Sequence, residues 1–145
     1  MIRTEDISVY TEGETIAAKK MSDLKERVRI VSETPNAVLL SIHQNTFPDE
    51  RFSGPQVFYA GTEDSRDLAK QLQHALSSHL APGSRRDEKR SSNVYLMEHI
   101  RCTGVLIECG FLSNREEEAR LRTGEYQKKL CAVIACTVIE FLANT

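Results

Sequence analysis

Two short runs decide most of what this chain can fold into. Residues 37–42, "AVLLSI", and the "GVLI" of 104–107 are apolar on both alternating sets of positions. That is the pattern of a strand covered on both faces, as in a parallel sheet. Their brevity favours strand over helix. A third strand is expected at "QVFYA" (56–60), after the turn-rich "FPDERFSGP", and a fourth at "NVYLM" (93–97).

Helical periodicity fills the gaps. Ala17, Met21, Leu24, Val28 and Val31 recur at steps of four and three, with Ser22 and Asp23 as the start of the better-formed part and Pro35 and Asn36 as its close. Leu68, Leu72, Ala75, Leu76 and Leu80 give a second apolar face, with acids in its first turn. Asn114 reads as the cap of a short helix, and Tyr126, Leu130, Val133, Ile134, Thr137 and Phe141 trace the buried face of a last one. Strands alternating with helices predict a single-domain α/β sandwich over residues 1–145, a largely parallel sheet flanked by helices. An apolar fraction of 40% is enough for one such core.

A formal net charge of −2 supplies no field that would recruit nucleic acid or an anionic bilayer. No apolar run approaches the roughly 20 residues of a membrane span, and "MIRTEDISVY" lacks the order of an export signal. Cys102, Cys109, Cys131 and Cys136 form no C-x-x-C pair and read as small buried hydrophobes, with a disulfide between two of them left open.

Ligands of such sheets sit at the carboxyl ends of the strands. His43 ends one apolar run and Glu108 ends another, so parallel strands would bring them to one edge. A histidine and a glutamate there can serve as metal ligand and general base. They can equally be a hydrogen-bonded strand end and a solvated carboxylate. Gln44 and Asn45 either line the rim or satisfy the strand end, Gly110 either lets a ligand approach or makes a turn, and Phe111 and Leu112 read as core.

Taken together, "LLSIHQN", "SGPQVFYA", "VLIECGFLSNREEEARL" and "GEYQKKLCAVIACTVIEFL" resemble the zinc-dependent N-acetylmuramoyl-L-alanine amidases of bacterial cell-wall turnover. "IECGFLSN" is most similar to those of spore formers that process cortex peptidoglycan. The resemblance implies that His43 is a zinc ligand and Glu108 the catalytic acid/base. The reaction implied is hydrolysis of the amide between the lactyl group of N-acetylmuramic acid and the L-alanine of the stem peptide, at the cell wall. It also places Arg86 at the border of the groove, where it would meet a peptide carboxylate, while Arg85, Lys89 and Arg90 read as a solvated loop.

Members of that family also supply a histidine from a Gly-His-Gly-Gly loop and a glutamate from the next helix, and neither is found here. The domain therefore reads as N-terminally incomplete, lacking the first strand and helix. Cys102 and Thr103 stand where the family usually has a proline. His74 and His79 lie five apart on a helix and face different ways, and His99 lies toward the opposite edge. One imidazole does not hold zinc, so zinc occupancy is expected to be poor and the chain alone inactive. An uncovered sheet edge predicts a homo-oligomer or strand exchange.

The competing reading is a non-catalytic remnant that binds cell-wall glycopeptide or a protein partner. An unrelated hydrolase is disfavoured by the absence of a Gly-x-Ser-x-Gly elbow, and Cys109 as a nucleophile with His43 as base is a weaker alternative than a packed thiol.

Overall fold

The computed structural model describes residues 1–145. In chain order the elements are α1 (Ile16–Glu33), β1 (Val38–Asn45), β2 (Gln56–Tyr59), α2 (Ser65–Leu80), β3 (Lys89–Arg90), α3 (Tyr95–His99), β4 (Thr103–Phe111), α4 (Arg115–Leu121) and α5 (Gly124–Ala143). The sheet order is β1-β4-β2-β3. β1 pairs parallel with β4 and β2 with β3, whereas β2 and β4 run antiparallel.

The reversal has a simple cause. Parallel neighbours need a crossover of about a dozen residues or more, and the connection from β1 to β2 is only residues 46–55. The chain therefore turns back. As a result the start of β2 lies beside the ends of β1 and β4.

Each face of the sheet has its own core. Val57, Val105, Ile107 and Cys109 point one way and pack with Leu68, Leu72 and Leu76 of α2 and Leu130, Ile134 and Phe141 of α5. Leu39, Ala60 and Leu106 point the other way, against Val31 of α1, Leu96 and Met97 of α3, and Ile100. β4 is central and buried along most of its length. β1 bonds only to β4, so the cover expected on both of its faces thins toward its end, where Ile42 is 54% exposed.

Several expectations change. "NVYLM" does not give a strand: Tyr95–His99 is a helical turn that places Leu96 and Met97 in the second core, with the backbone N–H of Asn93 bonded to Glu98 Oε1 at 2.8 Å. α1 starts earlier than Ser22, capped by Thr15, whose hydroxyl accepts from Ala18 N. Ser22 and Asp23 lie inside it and hold the leading segment instead. Ser22 Oγ accepts from the N–H groups of Thr11 (3.1 Å) and Glu12 (3.2 Å), and Asp23 Oδ1 from that of Val9 (2.8 Å).

The basic run is not all loop, because Lys89 and Arg90 form β3 beside β2. Of the cysteines only Cys109 is buried. Cys102 is half-buried, Cys131 and Cys136 are exposed on α5, and all four are free thiols. Leu112, just past β4, is 46% exposed rather than core, while Phe111 is buried. No helix is long and apolar enough to cross a membrane.

Candidate active site at the rim of the sheet

Strand register builds the site. His43 on β1 is aligned with Glu108 on β4, and Glu108 with Gln56 on β2. Aligned residues on neighbouring strands share a face and stand about 4.8 Å apart. The three residues therefore form a row across the rim of the sheet, with His43 and Glu108 on the face that carries α1 and α3 and the Gln56 amide bonded to Gln73 of α2. Just beyond it the ladder bulges: Asn45 pairs with Phe111, so β4 has one residue more than β1 over this step. Bulges re-aim side chains at strand ends.

The row is uneven in its surroundings. His43 is exposed, and its Nε2 lies 3.1 Å from Ser41 Oγ. Gln56 is 2% exposed, and its amide donates to Asp87 O (2.8 Å) and Gln73 Oε1 (3.1 Å). Between them Glu108 is half-buried, and its Oε2 is hidden from solvent without any hydrogen-bond partner. A buried polar oxygen left unpaired costs about 1–3 kcal/mol, and a catalytic role is one reason a fold keeps such an atom; Ser91 Oγ is likewise without a partner.

Burial pushes the Glu108 carboxyl above its ordinary 4.5, with the neighbouring His43 pulling partly the other way. Because the folded-state value is raised, the group favours folding most below its ordinary value, and that contribution is lost as pH rises through the raised one. Glu108→Gln, which is always neutral, is accordingly expected to melt about 1–3 °C above the wild type near pH 7. Near pH 4 the two should melt together, as thermal denaturation at both pH values would show.

Arg86 closes the row beyond Gln56. Its Nη1 donates to Gln56 Oε1 at 3.4 Å and its Nη2 to Ser53 O at 3.1 Å, and its guanidinium lies 5.3 Å from the centroid of the Phe111 ring. Phe52 and then Phe47 continue the aromatic line, with centroids 6.2 Å and 4.6 Å apart in turn. Asn45 spends its Oδ1 on the Thr46 N–H at 2.8 Å, while its backbone oxygen accepts from Leu112 N.

Besides Gln56, a structural residue escaped the sequence reading. Glu117 on α4 is 1% exposed, and its carboxylate accepts from Gly54 N at 2.8 and 3.0 Å and from Phe111 N at 2.7 Å. It thereby ties the end of β4 to the loop that feeds β2. Gly110 makes room for it: a Cβ there would stand 2.7 Å from Glu117 Cδ. The signal in the sequence was the Asn114-to-Glu117 spacing, that of a capping box. Asn114 does cap, accepting from Glu117 N at 3.0 Å, but the carboxylate reaches across the rim.

The remaining candidates stay apart. His74 and His79 are exposed on α2, and His99 ends α3, near the start of β4, stacked on Tyr95 at 3.9 Å. Burial raises the Cys109 thiol to about 11, so it holds little thiolate near neutral pH and fits the packed role. No group of three or more His, Cys, Asp or Glu side chains is placed to share a metal ion. The donors present thus do not fit a zinc centre, which needs three or four.

Comparison with known proteins gives a consistent set of likenesses. Residues 1–140 match the family described as N-acetylmuramoyl-L-alanine amidase. The germination-specific N-acetylmuramoyl-L-alanine amidase of Bacillus subtilis is 33% identical over 146 residues, covering 99% of this chain and 61% of that protein. The chain thus spans about three fifths of the length of that curated relative. The CwlD amidase of Clostridioides difficile, solved in complex with the GerS lipoprotein, superposes with a TM-score of 0.91 at 33% identity, over 99% of this chain and 75% of that one. An N-acetylmuramoyl-L-alanine amidase from Clostridium difficile gives 0.75 at 28% identity, over 83% and 65%.

Proposed function

Because the chain belongs to the N-acetylmuramoyl-L-alanine amidase family, we propose that its rim takes the amide joining N-acetylmuramic acid to the L-alanine of a peptidoglycan stem peptide, with Glu108 moving the proton. The observation that carries this reading is the hidden, unpartnered Oε2 of Glu108 beside His43. A carboxylate made more basic by burial is suited to general base work. It takes a proton from water as the water oxygen adds to the lactyl carbonyl carbon. It returns the proton to the alanine nitrogen as the carbon–nitrogen bond breaks. His43 stands one strand away.

Zinc is not assigned to these residues alone. His43 offers one imidazole, and any ion held there needs further donors that these residues do not assemble. This favours a second reading for the chain by itself: it binds muramoyl peptide and does not turn it over. The experiment is metal analysis after dialysis, with chromatography of muropeptides and a binding isotherm for N-acetylmuramoyl-L-alanyl peptide. Binding with little zinc and no cleavage is the expected result. Stoichiometric zinc with cleavage would overturn the second reading, and absence of binding would overturn the first.

The same reading places the protein's work at the cell wall, on cortex-type peptidoglycan. It also gives a use to the free edge of β1, whose outer N–H and C=O groups pair with no strand. Such an edge templates pairing with another strand, and we assign it to self-association or strand exchange. Light scattering at micromolar concentration should report a species larger than 16.4 kDa.

A further inference from the structure

Phe47 and Phe52 sit where phenylalanines seldom do. They are 47% and 41% exposed, whereas the other three, Phe58, Phe111 and Phe141, are half-buried or buried. Their exposure does not come from slack chain. Phe47 N donates to Ser113 Oγ at 3.1 Å, Asn114 Nδ2 to Glu50 O at 2.8 Å and Phe52 N to Asp49 O at 3.2 Å, so the turn that carries both rings is tied down. The rings also hold each other, with centroids 4.6 Å apart and planes tilted by 59°. Both stand beside the rim: Phe47 follows Asn45 by two residues, Asn45 pairs with Phe111, and Phe111 lies three residues past Glu108 and 6.2 Å from Phe52. Two adjoining rings fixed in water next to a candidate site are an interaction surface rather than a scattered exposure.

The chemistry of the pair sets what it can receive. Between the rings, Asp49 and Arg51 neutralise each other, with Arg51 Nη2 donating to Asp49 Oδ2 at 2.7 Å. Glu50 is left without a cation there, which disfavours an anionic ligand. Phenylalanine has no polar handle, and the negative face of its ring attracts weakly positive C–H groups. The face of a pyranose presents such groups in a neutral ligand. Two ring planes at 59° make a corner, with one wall for that face and the other for an acetamido methyl. Resting on the assignment of the muramoyl amide to the rim, we propose that Phe47 and Phe52 form a sugar-stacking subsite. It takes a neutral N-acetylhexosamine adjoining the muramic acid and so selects stems still borne on a glycan strand over free muramoyl peptides.

The experiment compares two probes by binding isotherms, N-acetylmuramoyl-L-alanyl-D-isoglutamine alone and the same unit flanked by N-acetylglucosamine on both sides. The flanked probe should bind the wild type about five- to tenfold tighter, as stacking on aromatic faces would give. The preference should hold as salt is raised, since no charge is involved. Phe47→Ala and Phe52→Ala should each reduce it to under about twofold while the small probe binds nearly as before. Leucine at either position, apolar but without a ring face, should lose most of it. Phe52→Trp, in a chain with no other tryptophan, should keep it and change fluorescence with the flanked probe only. Equal affinity of the wild type for both probes would overturn the subsite and leave the rim assignment standing. A preference that survives in a folded protein carrying both alanines would also overturn it. Failure of both probes to bind would remove the rim assignment and this inference together.

Discussion

Glu117→Ala is expected to destabilise the protein by about 4 kcal/mol, a fall of roughly 10 °C in Tm. Two buried backbone donors, Gly54 N and Phe111 N, depend on this carboxylate, which is itself 1% exposed. Alanine leaves both unpaired, at about 1–3 kcal/mol each, and opens a cavity where Gly110 has no side chain to fill it. Glu117→Gln keeps one acceptor oxygen but turns a donor toward a donor, so it should fall between the wild type and alanine. Urea unfolding of the three proteins checks the order. A loss under about 1 kcal/mol for alanine would mean that water replaces the carboxylate and that the tie is not structural.

Ile107→Ala should cost about 3–4 kcal/mol. Ile107 is 0% exposed in the central strand, packed among Val57 of β2 and the leucines of α2. Its register partner on β1 is Ile42, on the same face but 54% exposed. Ile42→Ala removes the same atoms from a position that is already half in water, so its cost should stay under about 1 kcal/mol. The pair makes an internal control, since residue type, sheet face and register are shared and only cover differs. Similar losses at both sites would show that the face of β1 that carries Ile42 is covered in solution.

What the sequence made legible follows from how local each signal is. β4 and α2 carry long, uninterrupted patterns, and Asn114 carries a capping signal that its own neighbours satisfy. The adjacency of His43 and Glu108 was legible because each ends an apolar run, and the register sets them side by side. The direction of β2 was open to inference from the brevity of residues 46–55, but hydrophobic alternation has no direction and could not supply it. Tyr95–His99 went astray because a five-residue apolar stretch fits a strand or a helical turn equally, and packing of Leu96 and Met97 under α1 decided for the turn. The cysteines of α5 were misplaced because a short apolar side chain on an apolar helix gives no sign of which face it takes. Glu117 showed only the capping spacing from Asn114, and the ties of Glu117 to Gly54 and of Gln56 to Asp87 span tens of residues and leave no local sign.

The connector between β1 and β2 is pinned at three points to one short segment. Phe47 N donates to Ser113 Oγ (3.1 Å), Asn114 Nδ2 to Glu50 O (2.8 Å), and Gly54 N to Glu117. The two pieces, distant along the chain, therefore behave as one interchangeable module. Grafting residues 46–55 from a relative without residues 113–117 would leave the transplanted segment unmoored, whereas exchanging both together should keep all three ties on an unchanged scaffold.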